Sequence, residues 1–216
     1  MRTMLVIGLG RFGSNLAVKL TELGNEVMVV DRDEGAVNKV EPFVTRAQIG
    51  DCMDDEVLHS LGVGNFDVCF VCISDNFQSS LEITSLLKEF GAPYVVAKAD
   101  RDIHAKFLKK IGADEVIYPE RDMAQRAAMR YSSRNAFDYF EFSPEYALME
   151  MLPPEGWVNK SIRELEIRTK LRLNIIGVRT QGKVTPLTSA EHVFRAGEHM
   201  LIAGSKADII RLMDKK

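Results

Sequence analysis

The segment G-L-G-R-F-G at residues 8–13 decides the fold, because it carries the glycine spacing G-x-G-x-x-G of a dinucleotide-binding turn. An apolar run at residues 4–7 precedes it. Apolar residues with helical spacing follow it from Ser14 to Gly24, and glycine is typical of helix ends. A glycine-rich turn between a strand and a helix opens a βαβ unit. The segment therefore predicts a phosphate-binding loop at the start of a parallel sheet.

Each glycine of this loop has its own part. We expect Gly8 to form the tight turn, Gly10 to let a pyrophosphate approach the backbone, and Gly13 to let the helix pack closely on the strand. Free N–H groups at the helix start, with a helix-dipole charge of about +0.5, then hold an anion. Arg11 and Phe12 complete the loop, and an outward-pointing Arg11 reaches a terminal phosphate of its own or a neighbouring chain. The alternative is a glycine turn that binds no ligand.

The second part of the dinucleotide signature is Asp31, roughly 20 residues beyond the loop and at the end of the second apolar run. Its carboxylate is an acceptor for ribose hydroxyl groups and repels a 2′-phosphate, which disfavours NADP. Arg32 follows directly, but beside an intact aspartate it makes a poor 2′-phosphate site. The alternative for Asp31 is an ordinary residue at a helix N-terminus.

The first part of the chain alternates short β-branched runs with helical segments, which predicts an α/β domain with a doubly wound, parallel, six-stranded Rossmann sheet. The predicted strands are residues 4–7, 26–31, 44–49, 67–73, 94–98 and 115–118. Ligands of such sheets sit beyond the carboxyl ends of the strands. That rule points to four more candidate binding residues, for which helix capping and surface charge are the alternatives: Asp51, Ser74, Lys98 and Glu120. Cys52 stands next to Asp51, and we expect it to be an apolar neighbour of the base.

The pattern changes near Asn135, after a predicted helix at residues 119–134. Alternating runs at 136–142 and 146–152, a capping-box spacing that begins at Ser161, strands at 173–179 and 199–203 and a last helix at 205–212 predict a small α+β subdomain. We therefore expect two domains, residues 1–135 and 136–216.

Composition excludes several classes of protein. The 216 residues carry 28 basic and 31 acidic side chains, so no basic excess drives nucleic-acid binding. No stretch approaches the roughly 20 apolar residues that span a bilayer. Three cysteines are too few for a disulfide framework, which indicates a cytosolic chain.

Two apparent chemical motifs are rejected on geometry. Cys69 and Cys72 have the C-x-x-C spacing of a redox or zinc site, but they lie in an apolar strand, where positions i and i+3 face opposite sides. We expect buried structural thiols. The four histidines are scattered along the chain and are expected at the surface, and no Ser-His-Asp order suggests itself.

The motifs, taken in order, resemble the KtrA/TrkA family, also called RCK or KTN proteins. The matching segments are G-L-G-R-F-G (8–13), V-D (30–31), I-G-D (49–51), V-A-K-A (96–99), I-G-A-D to P-E-R-D (111–122) and the glycine-flanked strand 197–204. They cover essentially the whole chain. The arginine in the loop and the Pro-Glu pair at 119–120 favour the KtrA branch. One departure is G-D-C-M-D at 50–54, where the family often has G-D-A-T, so a bulkier side chain lies beside the base.

The resemblance implies a cytosolic regulatory subunit, peripheral at the inner face of the cell membrane, whose C-terminal part is an RCK subdomain. Such proteins bind ATP, ADP or NAD, and their homodimers assemble into an octameric ring that gates a membrane potassium channel subunit of the KtrB/TrkH type. The implied contacts are phosphates at Gly8, Gly10 and Gly13, ribose at Asp31, adenine at Asp51 and Cys52, with Ser74 and Lys98 lining the site. Arg11 would contact the terminal phosphate across the dimer, and Glu120 would sense that phosphate through a divalent cation. Cyclic di-AMP, bound by some members, would meet Ile175, Ile176 and Pro186.

Two other functions share part of this signature. A small NAD-dependent oxidoreductase would use the same loop and Asp31, but it also needs a substrate pocket with a general acid or base, and residues 136–216 offer little for one. A redox-sensing repressor needs a basic DNA-reading helix, which the sequence does not suggest. We therefore expect a binding protein and no enzyme.

Overall fold

The computed structural model describes residues 1–73, 75–187 and 189–213. The predicted site residue Ser74 lies outside these ranges. The chain divides into two compact units, Met1–Glu120 and Arg121–Lys216. Within the described ranges, no helix combines the length and the apolar character needed to cross a membrane.

The first unit contains a six-stranded parallel sheet, which confirms the predicted fold class. The strands are β1 Thr3–Ile7, β2 Glu26–Asp31, β3 Arg46–Ile49, β4 Val68–Val71, β5 Val95–Lys98 and β6 Glu115–Ile117. Their order is β3-β2-β1-β4-β5-β6. The strand order reverses beside β1, and such a switch point opens a crevice at the carboxyl ends of the strands.

Helices alternate with these strands. They are α1 Arg11–Glu22, α2 Glu34–Val40, α3 Asp55–Leu61, α4 Phe77–Glu89, α5 Asp102–Lys110 and α6 Pro119–Tyr131, and short 3₁₀ turns cover Glu41–Phe43 and Val63–Asn65. Helix α6 begins at the end of the first unit and continues into the second.

Apolar clusters cover both faces of the parallel sheet, as the near-continuous apolar runs predict. Leu5 and Cys69 belong to one cluster, and Val6 and Cys72 belong to the other. The two thiols therefore lie on opposite faces and are free, which confirms their interpretation as structural cysteines. Burial raises the pKa of both thiols to about 12.

The second unit contains an antiparallel five-stranded sheet in the order β10-β9-β11-β8-β7. Its strands are β7 Ala136–Glu141, β8 Tyr146–Met151, β9 Asn174–Thr180, β10 Lys183–Pro186 and β11 His199–Ser205. Its further helices are α7 Ile162–Leu165, α8 Ile167–Leu171 and α9 Lys206–Met213, with a 3₁₀ turn at Glu155–Trp157.

The expected capping box starts α7. The Ser161 hydroxyl accepts from the Glu164 N–H at 3.2 Å, and the Glu164 carboxylate accepts from the Ser161 N–H at 2.7 Å. One apolar cluster, with Met149, Phe194 and Met200 at its centre, holds α9 against the sheet.

The border between the two units differs in position from the predicted domain boundary near Asn135. Within the second unit, Arg126 on α6 forms a bidentate ion pair with Asp138 on β7, at 2.9 and 2.8 Å. The Gln125 side-chain amide also donates to the Glu141 carboxylate at 2.6 Å. These bonds hold most of α6 on the antiparallel sheet. The helix ends at Tyr131 and not at residue 134.

The expectation that the histidines lie at the surface is wrong for His104. Its side chain on α5 is fully buried, because Asp100 and Ser80 supply partners for both ring nitrogens. His192 and His199 are half-buried, each beside a buried glutamate, Glu198 and Glu150 respectively. His59 is exposed as expected.

Candidate functional site

A cleft of about 510 Å³ opens at the carboxyl ends of the parallel strands. Its walls are residues 7–12, 30–33, Ala36, 50–52, 72–73, 75–76, Ser79, Ile83, Lys98 and Glu120. The structure thereby brings together ten of the twelve predicted site residues: Gly8, Gly10, Arg11, Phe12, Asp31, Arg32, Asp51, Cys52, Lys98 and Glu120. Gly13 lies behind the loop, and Ser74 lies outside the described residues.

The glycine loop has the geometry of a phosphate cradle. Gly8 turns with φ at +93° and donates its N–H to the Val30 carbonyl at 2.9 Å. A Cβ on Gly13 would stand 1.9 Å from the Gly8 carbonyl oxygen, so only glycine lets α1 pack here. A Cβ on Gly10 would meet nothing within 4 Å and would project into open space. Helix α1 starts after Gly10 without a side-chain cap, which leaves its first N–H groups available for an anion.

Asp31 ties the glycine loop to the segment after β2. Its Oδ2 atom accepts from the Leu9 N–H at 2.5 Å, and its Oδ1 atom accepts from the Asp33 N–H at 2.9 Å. A carboxylate has about four acceptor positions, so two remain for ribose hydroxyls. Helix α2 is capped by Asp33, whose side chain accepts from the Ala36 N–H at 3.2 Å. Asp31 is therefore not the residue that caps the helix.

The loop after β3 forms the side of the cleft next to Asp31. Asp51 accepts from the Met53 N–H at 3.0 Å, which fixes the turn. Cys52 is buried in this wall. Burial, followed by the negative charges of Asp51 and Asp31, raises the pKa of the Cys52 thiol to about 12. The thiol is consequently protonated near neutral pH and acts as an apolar neighbour.

The opposite side of the cleft carries positive charge. Arg11 is exposed at the start of α1, and Lys98 at the end of β5 is almost buried. The Lys98 ammonium lies 2.7 Å from Oε1 of Glu120, and this bond lowers the pKa of the Glu120 carboxyl. Two carboxylates thus stand beside Cys52, whereas Arg11 and the Lys98–Glu120 ion pair line other parts of the cleft.

A cation site at Glu120 has no preformed protein cage. In the described part of the chain, no group of three or more His, Cys, Asp or Glu side chains is arranged to hold a metal ion. Mg²⁺ commonly takes one or two carboxylates and completes its shell with phosphate oxygens and water. The exposed Glu120 carboxylate could supply one such ligand.

Sequence reasoning missed the wall that α4 contributes. Asn76 caps this helix by accepting from the Ser79 N–H at 3.1 Å, and Asp75, Ser79 and Ile83 line the cleft. The Ser79 hydroxyl is buried and donates to the Met53 Sδ at 2.9 Å. The rule that ligands bind beyond the carboxyl ends of strands points to the loop after β4. Ser79 and Ile83 lie farther along, on α4, and they could have been predicted only by asking which face of that helix turns towards the cleft.

A second cavity, of about 420 Å³, lies in the C-terminal unit. Its walls are Ile162, Arg163, Glu166, Ile167, Arg168, Thr169, Leu173, Asn174, Ile175, Leu187, Ser189 and Ala190. Of the three residues expected to meet cyclic di-AMP, Ile175 lines this cavity, whereas Ile176 and Pro186 do not.

Comparison with known proteins agrees with this architecture. The TrkA-N domain matches residues 4–119, and the TrkA-C domain matches residues 148–216. The chain is 40% identical to the Ktr system potassium uptake protein C of Bacillus subtilis (strain 168) over 206 residues, which is 95% of this chain and 93% of that protein. It is 37% identical to the Ktr system potassium uptake protein A of the same organism, with the same coverage of both chains.

A solved structure shows the same fold. The GsuK channel bound to NAD superposes with a TM-score of 0.71 at 20% identity, over 99% of this chain and 40% of that one. Two matching domains in sequence order, a full-length relative at 40% identity and the shared fold lead to one conclusion. The chain belongs to the family of TrkA-N and TrkA-C domain proteins that includes the Ktr potassium uptake proteins.

Proposed function

We propose that this chain is the nucleotide-sensing regulatory subunit of a potassium uptake system. An adenine nucleotide occupies the cleft of the parallel sheet, and its presence changes the conformation of the subunit and the gating of a membrane partner. The names of the full-length relatives support the potassium uptake role. The observation that carries nucleotide binding is the pairing of the open glycine loop with the Asp31 carboxylate.

The chemistry of the cleft favours ADP, ATP or NAD over NADP. A 2′-phosphate would meet the Asp31 carboxylate, and the exposed Arg32 beside it compensates only in part. Phosphates fit the loop, where the N-terminus of α1, Arg11 and Lys98 supply positive charge. The base fits the side where Asp51 and the protonated Cys52 stand.

One phosphate group provides enough free energy for a signal. A ligand shifts a conformational equilibrium only by the difference between its affinities for the two states. Each charge-assisted hydrogen bond contributes about 1.5–3 kcal/mol, and allosteric couplings are typically about 1–3 kcal/mol. A terminal phosphate bound in one state by Arg11, and by Glu120 through a divalent cation, satisfies that requirement.

The proposal extends to assembly and location. The subunit forms homodimers that build an octameric ring at the cytoplasmic face of the membrane, where it meets a KtrB/TrkH-type potassium channel subunit. The role is regulatory and not enzymatic, so the nucleotide acts as a ligand. The second cavity is a candidate site for cyclic di-AMP, because Arg163 and Arg168 suit phosphates and Ile175 suits the base.

A ligand panel tests the binding step. Thermal unfolding is measured with ATP, ADP, AMP, NAD, NADH, NADP and cyclic di-AMP, each with and without Mg²⁺. A ligand at 100 times its Kd stabilises the native state by about 2.7 kcal/mol. ADP, ATP or NAD should raise the melting temperature and NADP should not. If no adenine nucleotide changes it, nucleotide sensing by this chain is refuted.

A further inference from the structure

His104 joins α5 to two segments that lie next to cleft residues, helix α4 and the loop after β5. The ring is fully buried on α5, with Nδ1 3.0 Å from Oδ1 of Asp100 and Nε2 3.1 Å from the Ser80 hydroxyl. The Phe77 ring packs against it, with 5.0 Å between ring centroids. Helix α4, helix α5 and the loop after β5 thus meet at one imidazole.

The hydrogen bonds define how the ring is held. A carboxylate only accepts, so the Nδ1–H donates to Asp100, and Nε2 is then free to accept from the Ser80 hydroxyl. Both ring nitrogens therefore have a hydrogen-bond partner. Buried polar groups without partners are costly, so the arrangement fixes the distance between Ser80 and Asp100.

Each partner of His104 stands within two positions of a residue that lines the cleft. Ser80 follows Ser79, and Asp100 stands two positions after Lys98. The Tyr118 hydroxyl donates to the Asp100 carbonyl, and Tyr118 stands two positions before Glu120. The Lys98 hydrogen bond lowers the pKa of the Glu120 carboxyl, and the negative charge of Asp100 opposes this by raising that pKa to a lesser extent.

Ser80, His104 and Asp100 are hydrogen-bonded in the order of a Ser-His-Asp triad, but they do not form a nucleophilic site. Ser80 has no exposed surface, because it lies on the buried side of α4. No substrate can reach its hydroxyl in this conformation. The group therefore acts on the geometry of its surroundings.

We propose that His104 is a positioning residue of the phosphate end of the cleft: through Ser80 and Asp100 it holds α4 and the β5–α5 loop so that Lys98 meets the outer phosphates of a bound nucleotide and Glu120 meets them through a divalent cation. This inference rests on the proposed nucleotide-sensing function. If the role of His104 were purely structural, replacing it would weaken the binding of every nucleotide to the same extent. A positioning role affects the outer phosphates and spares the nucleoside with its first phosphate, which the glycine loop and Asp31 hold.

Binding calorimetry with ATP and with AMP separates the two roles. The variants are His104→Leu, which loses both bonds, His104→Gln, which keeps a donor and an acceptor, and Ser80→Ala, which loses one bond. His59→Leu is the matched control, because that histidine is exposed on α3. Circular dichroism checks that each full-length variant is folded.

In His104→Leu we expect the Kd for ATP to rise about tenfold, as one charge-assisted hydrogen bond is weakened, while the Kd for AMP stays within about twofold. His104→Gln should recover most of the ATP affinity, and the control should match the wild type. Ser80→Ala should show the same selective loss at about threefold, and it decides the matter if His104→Leu does not fold.

Equal loss of ATP and AMP affinity, or no loss of either, would overturn the positioning role while the proposed function stands. If the wild type binds neither nucleotide, the proposed function itself fails and this inference falls with it.

Discussion

Lys98 and Glu120 form an ion pair in which one partner is nearly buried and the other is open to solvent. Their Nζ and Oε1 atoms are 2.7 Å apart, and the side chains are 9% and 62% exposed. Lys98 is the last residue of β5, and Glu120 lies in the first turn of α6. Both residues line the cleft, so we expect this pair to respond directly to the charge of a bound ligand.

Glu120 gives the pair a measurable pH dependence. Lys98 lowers the carboxyl pKa from its ordinary value of 4.5, so the pair stabilises the folded state above pH 4.5, and that contribution is lost as the pH falls through the lower pKa of the folded state. Because Glu120 is largely exposed, the contribution stays below about 1 kcal/mol.

Urea unfolding of the wild type and of Glu120→Gln, at pH 7 and again below pH 4, isolates this contribution from that of the other carboxylates. The difference in unfolding free energy between the two proteins should shrink on acidification. A difference that grows on acidification contradicts the assigned ion pair.

Gly10 and Gly13 should separate binding from folding. Gly10→Ala should change the unfolding free energy by no more than about 1 kcal/mol, because its Cβ meets nothing within 4 Å, yet it should abolish the thermal shift with ADP. Gly13→Ala should cost about 2–3 kcal/mol or more, because its Cβ would stand 1.9 Å from the Gly8 carbonyl oxygen. Equal ADP binding by Gly10→Ala and wild type would show that the loop does not hold phosphates.

Asp31 should be required for every adenine nucleotide. Asp31→Ala removes the ribose acceptor and also releases the Leu9 and Asp33 N–H groups, so the thermal shifts with ATP, ADP and NAD should all vanish. Glu34→Ala is the control, since that side chain is exposed on α2 and does not line the cleft. Retention of a full shift by Asp31→Ala would place the nucleotide elsewhere.

Arg11 should distinguish the triphosphate from the diphosphate. Arg11→Ala should erase the difference between the ATP and ADP affinities and leave ADP binding largely intact, because the arginine is exposed at the mouth of the loop and free to reach a terminal phosphate. Lys19→Ala, in a surface ion pair on the same helix, is the control. Calorimetry that finds the same loss for both nucleotides would refute this role.

The parallel sheet and most of its cleft could be predicted from the sequence, because the strands and the glycine loop are determined by residues that are close together in the chain. The glycine spacing requires the turn at Gly8, and the apolar run ending at Asp31 sets its place at the strand end. The short strand β10 was not predicted, since all its side chains are exposed and it has no apolar alternation. The burial of His104 was not predictable either, because Ser80, far away in the chain, completes its bonding.

The most direct measurement of the central claim is potassium flux in vesicles that contain a KtrB-type membrane subunit together with this chain. Flux is compared in saturating ATP and saturating ADP, with Gly10→Ala in parallel. Nucleotide-dependent gating predicts that flux differs between ATP and ADP with the wild-type chain and becomes independent of the nucleotide with Gly10→Ala. Identical flux in ATP and ADP with the wild-type chain, while both nucleotides are bound, would contradict it.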